Sequence, residues 1–482
     1  MENPLQNLEP KSLWKHFAAL SAIPRASEKE AAARAYVLAE ASRLGLEAIT
    51  DSVGNVVIRK PARPGREGAV MAALQGHLDM VCEKNEGTEH NFDTDPIRLV
   101  RDGDWIKADG TTLGADNGVG AAAALAVMES RDVNHGPLEF VFTIDEESGL
   151  TGASSFPDGL LRSKYFLNLD GEEEGTLCIG CAGGLNTVAR RKVARQAAPA
   201  GDAWRIRVSG LAGGHSGIDI HKGRGNAVRI LGNVLQTLLD RLPVSVGALA
   251  GGSKHNAIPR EASATVVIGS GREQELRALV SGLEGEFRAD LGSFDPGLKI
   301  SVESAAKPDL AMADADARAV AALLLSQHHG VLAMSPAIPG LVQTSTNLAI
   351  VALKDDEVRI DTSQRSAIES SKRAAARMVS TVFRMAGFTP EHTGGYPGWK
   401  PEPNSDIVRT SKKVHHELLG IDPELVAMHA GLECGVIGEK HPGMQMISFG
   451  PHIVDVHSPS EKLKISSVMP FWKFLTGLLE RL

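Results

Sequence analysis

The chain has 482 residues, of which 43% are hydrophobic and 23% are charged. This composition is ordinary for a folded globular protein, and it excludes intrinsic disorder and a fibrous architecture. The formal net charge of −8 provides no basic field for nucleic acid or anionic lipid. Aromatic residues make up only 4% of the chain, which argues against a stacking surface for nucleic-acid bases.

Cysteine usage and hydropathy both indicate the cell interior. The sequence contains four cysteines, and Cys178 and Cys181 form a C-x-x-C pair with no second pair at zinc-finger spacing. We therefore expect buried structural cysteines. The first residues are polar, and the Ala-rich run Val119–Met128 is much shorter than the roughly 18 apolar residues that a transmembrane helix needs. These features predict a soluble, cytoplasmic protein with no membrane and no nucleic-acid partner.

The first third of the chain alternates helical and strand patterns. A capping-box pattern at Ser27–Glu30 predicts a helix over residues 31–44 that ends at Gly45. Short apolar runs, each followed by polar residues, predict buried strands at Val53–Arg59, Val70–Leu74, Leu138–Ile144 and Tyr165–Leu169. This alternation is typical of an α/β domain whose mixed, largely parallel sheet is flanked by helices.

The middle of the chain has a different texture. Half-buried strand patterns at 204–209, 262–268, 298–302, 348–353 and 357–362 alternate with amphipathic helices, of which Asn226–Leu242 is the clearest. We interpret this part as an inserted α+β lid domain. The first pattern returns afterwards, with a predicted helix over 405–419 and a strand at Met446–Phe449. The predicted domains are therefore 1–187 and 393–482, which form one catalytic domain, and 188–392, the lid.

Histidine and acidic residues recur at short spacing after predicted strands or turns. They lie in five motifs: Gly76–Asp79, Leu113–Gly118, Asp145–Ser148, Asn168–Glu172 and Val454–Ser458. In an open α/β sheet, ligands bind outside the carboxyl ends of the strands. Mixed imidazole and carboxylate ligands suit zinc, manganese or cobalt. Each motif alone is typical of a solvated turn, whereas the set in this order predicts a metal site.

The residue types fit a two-metal hydrolase, whose ions lie about 3.5–4 Å apart. Two such close dications repel each other, so an anionic bridge between them is needed. A further carboxylate must accept the proton of the attacking water. Adjacent Glu146 and Glu147 can divide metal binding and proton transfer, because neighbouring residues at a strand end point in different directions. Asp79 can fold back to orient His77.

The motifs LQGHLDMV, DGTTLGADNGVG, TIDEESGLTGA, LNLDGEEEG and DVHSPSE resemble the di-zinc aminopeptidase-like peptidases and deacylases, along essentially the whole chain. This family includes carboxypeptidase G, acylases, peptidase T and the carnosine-type dipeptidases. The resemblance implies that Asp116 bridges two metal ions. It implies these further roles: His77 and Asp170 on one ion, Glu147 and His457 on the other, and Glu146, Asp79 and His215 as catalytic residues, with Glu146 the general base, Asp79 supporting His77 and His215 polarising the scissile carbonyl.

Two lid or loop positions complete the expected site. Asn256 resembles a substrate-contacting asparagine, although a structural turn is an equal interpretation. Gly431 lies in a loop that could offer backbone donors to the substrate, and Glu433 in the same loop has no assigned role.

The resemblance implies a metal-dependent dipeptidase that hydrolyses Xaa-His, carnosine-like dipeptides with two divalent metal ions. Zinc is the expected metal, with cobalt or manganese as alternatives, and relatives are often homodimers. An N-acyl amino acid deacylase or a tripeptidase could use the same machinery, and a non-catalytic metal-binding or scaffold protein is a further alternative. A serine hydrolase is disfavoured because the residues around Ser216 do not form G-x-S-x-G.

Overall fold

The computed structural model describes residues 3–482, which divide into two compact units. The first unit contains the chain up to Cys181 together with Trp399–Ala427 and Leu432–Leu482, and the second contains Ala182–Gly398 with Met428–Gly431. The short segment at 428–431 joins the second unit because the Ala182 backbone N–H donates to the carbonyls of Met428 and Ala430, at 2.9 and 3.0 Å.

The part of the first unit that precedes residue 182 contains five helices and eight strands among the described residues. They are α1 Lys11–Ser21, α2 Ala31–Arg43, β1 Glu47–Thr50, β2 Val56–Lys60, β3 Ala72–His77, β4 Leu99–Asp102, β5 Trp105–Ala108, α3 Ala115–Glu129, β6 Leu138–Thr143, α4 Glu146–Gly149, α5 Thr151–Ser155, β7 Tyr165–Asn168 and β8 Thr176–Cys181.

The second unit follows with helices that alternate with long strands. Its elements are β9 Gly183–Lys192, β10 Arg195–Ala197, β11 Asp202–Ser209, β12 Gly214–His215, α6 Ala227–Arg241, β13 Val244–Gly251, β14 Ala257–Ile258, β15 Ala262–Ile268, α7 Glu273–Leu291, β16 Lys299–Ser304, β17 Leu310–Met312, α8 Asp314–Ser326, β18 Gly330–Met334, β19 Val342–Lys354, β20 Glu357–Ser366, α9 Glu369–Met385 and β21 Thr389–Tyr396.

The last part of the chain returns to the first unit. Its elements are α10 Asp406–Leu419, β22 Glu424–Met428, α11 Glu433–Lys440, β23 Gln445–Ser448, β24 Ile453–Val454, β25 Lys462–Lys464 and α12 Ile465–Leu479. No helix within residues 3–482 is both long enough and apolar enough to span a lipid bilayer.

The main sheet of the first unit has the order β1-β2-β6-β3-β7-β23-β8-β22. Strand β3 pairs parallel with both β6 and β7, and β7 pairs parallel with β23, whereas the β1–β2, β2–β6 and β23–β8 pairs are antiparallel. Every residue of β3, β6 and β7 is buried, as expected for strands covered on both faces. The prediction of a mixed α/β sheet is thus confirmed, with the parallel pairs at its centre.

Strand β23 comes from the end of the chain and completes the sheet between β7 and β8. The segment Ala182–Gly398 forms most of the second unit. The nine-stranded sheet of this unit in the described chain has the path β16-β11-β15-β13-β19-β20-β9-β21, with β18 beside β19. Helix α6 covers this sheet with a continuous apolar stripe that includes Val228, Leu231, Leu235 and Leu238. The predicted α+β insertion is therefore confirmed.

The sequence signals that predict where helices begin and end were only partly correct. Gly45 follows α2 with a φ of 68°, and the Asn226 side chain caps α6 by accepting from the Arg229 N–H, as expected. The predicted capping box at Ser27–Glu30 was wrong. Ser27 Oγ donates to Asp79 Oδ2 at 2.8 Å, and Glu30 Oε1 accepts from the backbone N–H of Asp145 at 2.9 Å.

Candidate active site

The strand order of the first unit brings the predicted ligands to one edge of the sheet. His77 is the last residue of β3, Glu146 and Glu147 begin α4 just after β6, and Asp170 follows β7. Because β3 lies between β6 and β7 in parallel register, these carboxyl ends lie side by side. Asp116 is the second residue of α3, and His457 lies in the loop between β24 and β25.

The five predicted metal ligands form two groups that share Asp116. His77 Nε2 lies 3.1 Å from Asp116 Oδ1 and 3.5 Å from Asp170 Oδ1. His457 Nε2 lies 3.2 Å from Asp116 Oδ2 and 3.0 Å from Glu147 Oε2. Two ligand atoms bound at about 2.0–2.1 Å in a tetrahedral zinc site are roughly 3.3 Å apart, so these nitrogen–oxygen separations suit one cation per group.

Burial and charge also fit two cations. Glu147 Oε1 is buried and accepts no hydrogen bond from the described residues, which leaves an oxygen available to a metal ion. Hydrogen bonds that His457 donates to the carboxylates of Asp116 and Glu147 raise its pKa to about 11, so the surrounding carboxylates favour positive charge. The donor set of imidazole nitrogen and carboxylate oxygen is the one preferred by zinc, cobalt and manganese.

Asp79 links three elements of the centre. Its Oδ1 lies 3.3 Å from His77 Nδ1 and accepts the Glu146 N–H at 3.0 Å, while Oδ2 accepts the Glu147 N–H at 3.1 Å. Burial alone would raise the pKa of Asp79, but the contacts with His77 and the Glu146 N–H hold it well below its usual value. An ionised Asp79 therefore orients the His77 ring and both glutamates at once.

Glu146 lies beside His77 and Glu147, and their ligand atoms are within 4.8 Å of one another. Burial raises the pKa of its carboxyl well above the ordinary value, and the negative charges of Asp170, Glu433 and Glu147 add to the effect. Such a carboxyl holds a proton more tightly than a solvated one, which is a property of groups that exchange protons with a substrate.

Two residues without a predicted role hold the loop that carries Asp116. The Glu461 carboxylate accepts four backbone N–H groups, from Leu113, Gly114, Ala115 and Asp116, at 2.8–3.3 Å. The buried Arg25 guanidinium donates to the carbonyls of Leu78, Asp79 and Gly114. Glu461 stands in the quoted DVHSPSE motif, four residues after His457, but its spacing alone gave no hint of its backbone partners.

Glu433, which also had no predicted role, lies beneath the same sheet edge. Its Oε2 accepts Gln75 Nε2 at 2.5 Å and Thr143 Oγ1 at 2.8 Å, and its Oε1 has no hydrogen-bond partner among the described residues. Burial raises the pKa of Glu433 to about 8. Its neighbours come from β3 and β6, which lie far from it in sequence.

In the second unit, His215 has a defined tautomer. Its Nδ1 accepts the backbone N–H groups of Gly217 and Ile218, at 3.3 and 3.1 Å, so the ring proton belongs on Nε2. Nε2 lies 3.5 Å from Arg365 Nη2. Burial and the charge of Arg365 lower the pKa of His215 to about 4. A neutral N–H donor and a guanidinium thus face the same space.

Arg365 was not predicted from the sequence. It is only 6% exposed, and it donates to Tyr396 Oη at 2.7 Å and to Ser216 Oγ at 3.3 Å. Within residues 3–482, no carboxylate lies within ion-pair distance of it. A buried cation with neutral partners and an adjacent N–H donor suits an anionic group of a ligand.

The structure gives the two predicted substrate-binding residues different surroundings. The side chain of Asn256 is exposed, and its backbone carbonyl accepts the Ser216 N–H at 2.8 Å. Gly431 lies against the Tyr396 ring, where an added Cβ would come within 2.8 Å of Cε2. Substrate binding by Asn256 and Gly431 stays a prediction.

The family model for Peptidase family M20/M25/M40 matches residues 73–481, a range that includes all five predicted metal ligands. The chain belongs to peptidase family M20/M25/M40. It is 38% identical over 479 residues to the cytosol non-specific dipeptidase of Escherichia coli, with 99% of each chain covered. The five quoted motifs are similar to those of bacterial peptidase D, the aminoacyl-histidine dipeptidase, and the identity to the Escherichia coli protein confirms that relationship.

Two solved structures of peptidases have the same fold. The aminoacylhistidine dipeptidase of Vibrio alginolyticus is 39% identical, with a TM-score of 0.92 over 100% of this chain and 98% of that one. Aminopeptidase PepT of Bacillus cereus is 17% identical, with a TM-score of 0.57 over 98% of each chain, and shares the fold alone.

For this M20/M25/M40 peptidase, chelation of bound metal is expected to lower the melting temperature more at about pH 8 than at about pH 5. Burial and neighbouring carboxylates raise the pKa of Asp170 to about 6 and that of Glu172 to about 8. Without cations the folded state therefore binds these protons more tightly than the unfolded state, so stability falls as the pH rises through this range. Thermal melts with and without chelator at both pH values measure the effect. A loss of equal size at the two pH values would contradict it.

Proposed function

We propose that this chain is a metal-dependent dipeptidase that hydrolyses Xaa-His, carnosine-like dipeptides. The observation that carries the proposal is the pair of histidine–carboxylate groups that share Asp116 at the carboxyl ends of the central strands. Similarity over nearly the full length to proteins named cytosol non-specific dipeptidase and aminoacylhistidine dipeptidase supports the substrate class.

We propose that His77, Asp116 and Asp170 hold one ion and that Asp116, Glu147 and His457 hold the other. Zinc is the proposed metal, with cobalt or manganese as substitutes. When bound, such ions supply Lewis acidity for the scissile carbonyl and promote deprotonation of the attacking water.

Glu146 is the proposed general base and general acid. It accepts the proton of the attacking water and later donates it to the leaving amine, so that it ends the cycle in its starting state. A raised pKa makes the ionised carboxylate a stronger base for the first step, and the proton that it gains passes to the leaving nitrogen as the C–N bond breaks. Asp79 keeps Glu146 in place through the backbone N–H of that residue.

His215 and Arg365 are the proposed partners of the negative charge on the substrate. The neutral His215 presents an Nε2–H, which can stabilise an oxyanion as it develops in the transition state. Arg365 offers a guanidinium whose partners within residues 3–482 are neutral, Tyr396 Oη and Ser216 Oγ among them, which suits the carboxylate of a dipeptide.

The pKa of His215 tests this pairing. NMR titration of ring-labelled histidines is expected to place the His215 pKa at about 4 in the wild type, and to show a higher value in Arg365→Gln, because the nearby positive charge is gone. The His215→Asn variant assigns the signal. An unchanged titration in Arg365→Gln would show that the guanidinium does not act on this ring.

Substrate choice separates the dipeptidase from its alternatives. A purified, zinc-loaded sample is expected to cleave Xaa-His and carnosine-like dipeptides, and to be far slower on N-acetyl amino acids and tripeptides. A preference for N-acetyl amino acids would establish the deacylase alternative, and a preference for tripeptides the tripeptidase. Absence of chelator-sensitive hydrolysis on every substrate would instead favour a non-catalytic metal-binding protein.

We further propose that the enzyme acts in the cytoplasm as a homodimer. The Escherichia coli relative is named a cytosol dipeptidase, which supports the location. Light scattering on the purified chain tests the dimer, and a monomeric mass at working concentrations would exclude it.

A further inference from the structure

A third histidine–carboxylate group, separate from the two that share Asp116, lies where three helices of the first unit meet. His16 is on α1, Glu40 is on α2, and Glu129 is the last residue of α3. One ligand atom from each residue lies within 4.8 Å of the others. None of the three has a part in the proposed hydrolysis.

His16 presents an unused nitrogen to these carboxylates. The residue is 0% exposed, and its Nε2 has no hydrogen-bond partner among the described residues. Its Nδ1 lies 2.7 Å from Tyr36 Oη. Burial lowers the pKa of His16, which favours the neutral ring, and burial raises the pKa of Tyr36 to about 12. A phenol oxygen that accepts the Nδ1 proton would leave the Nε2 lone pair free for a cation.

The geometry matches that of the candidate active site. His16 Nε2 lies 3.4 Å from Glu129 Oε1, within the range of 3.0–3.5 Å between histidine nitrogen and carboxylate oxygen in the two groups around Asp116. The separation also agrees with the roughly 3.3 Å between two ligands of a tetrahedral zinc ion. The donor set of one imidazole and two carboxylates is the same as well.

Two basic side chains fix the carboxylates and set the charge of the group. Lys15 Nζ and Arg43 Nη2 contact Glu129 Oε2 at 2.8 and 2.9 Å, and Arg43 Nε contacts Glu40 Oε2 at 3.1 Å. These contacts use the far oxygen of Glu129 and leave Oε1 facing His16. Two positive charges offset the two carboxylates, so this group attracts a dication less strongly than the acidic site around Asp116.

We propose that His16, Glu40 and Glu129 bind a third divalent ion of the zinc or cobalt type, more weakly than the two ions of the candidate active site. The ion would tie the middle of α1 to the C-terminal ends of α2 and α3. Because α3 begins beside Asp116 and ends at Glu129, the ion would also anchor the helix that carries the proposed bridging ligand.

Equilibrium dialysis of the metal-free full-length chain against a series of free cobalt concentrations, with metal counted by mass spectrometry, tests the proposal. The wild type is expected to bind two ions tightly and a third more weakly. His16→Asn should lower the affinity for the third ion by at least about tenfold and leave the first two unchanged. The matched control is His416→Asn, which changes an exposed histidine 3.2 Å from Asp422 and should retain three ions.

Glu40→Gln removes a partly exposed ligand and serves if His16→Asn does not fold. Anomalous diffraction from cobalt-soaked wild-type crystals provides a readout that needs no variant, with a peak expected between His16, Glu40 and Glu129. A wild type that never exceeds two ions, a folded ligand variant that keeps the third, or the absence of that peak would each overturn the proposal. In those cases the group is a neutral histidine beside a Lys–Glu–Arg cluster.

Discussion

Replacing Glu146 with glutamine is expected to lower kcat by about 10²–10⁴-fold, the usual contribution of a positioned acid–base group. Glutamine has nearly the same shape, but its amide cannot accept the proton of water or return one to the leaving amine. The metal content should remain near that of the wild type, because Glu146 is outside the two ligand groups that share Asp116. Steady-state kinetics with a dipeptide substrate and metal analysis of the same sample measure both quantities.

Glu174→Gln is the matched control for Glu146→Gln. Glu174 is a partly exposed acid 3.5 Å from Lys464, and its loss should leave kcat unchanged. Full activity in Glu146→Gln would remove this residue from the mechanism. A loss of activity together with a loss of metal would reassign it as a ligand.

Replacing Glu461 with glutamine is expected to lower the free energy of unfolding by about 3–5 kcal/mol, and to weaken metal binding. The carboxylate accepts two backbone N–H groups on each oxygen, and the four donors belong to Leu113–Asp116. A glutamine keeps one acceptor oxygen and turns an NH₂ group toward two N–H donors. The loop should then shift, and the carboxylate of Asp116 should move with it.

Chemical denaturation of the metal-free variant measures the stability term, and competition with a chromogenic chelator measures metal affinity. Glu480→Gln, an exposed acid at the end of α12, is the matched control and should change neither value. A Glu461→Gln protein that is destabilised but binds metal like the wild type would show that Glu461 supports the fold without positioning Asp116.

The sequence predicted the central strands because most of their residues are apolar and polar turns bound them. Parallel strands covered on both faces require such runs, and their carboxyl ends must then meet at one edge. The predicted strand Leu138–Ile144 is observed as β6, Leu138–Thr143, and the acidic residues follow it directly. Pattern and position together therefore predict that His77, Glu147 and Asp170 lie near one another.

The capping box shows why local patterns can fail. Ser27 and Glu30 have the correct spacing for a reciprocal cap, yet Ser27 binds Asp79 and Glu30 binds the Asp145 backbone. Both partners are distant in sequence and belong to loops around the candidate active site. A polar side chain can form a hydrogen bond with a nearby residue or with one that is distant in sequence. Local spacing does not indicate which of the two bonds forms.

The amino-acid sequence by itself determined the fold class, the inserted lid and the family. The fold class and the insertion follow from the periodicity of apolar residues, and the family follows from short motifs of adjacent residues. The tertiary structure alone revealed Glu461 beneath the Asp116 loop, the buried guanidinium of Arg365 beside His215, and the meeting of His16 with Glu40 and Glu129. Each of these depends on groups that lie far apart along the chain. Their contacts are set by the packing of strands and helices, and the spacing of residues along the chain does not predict these contacts.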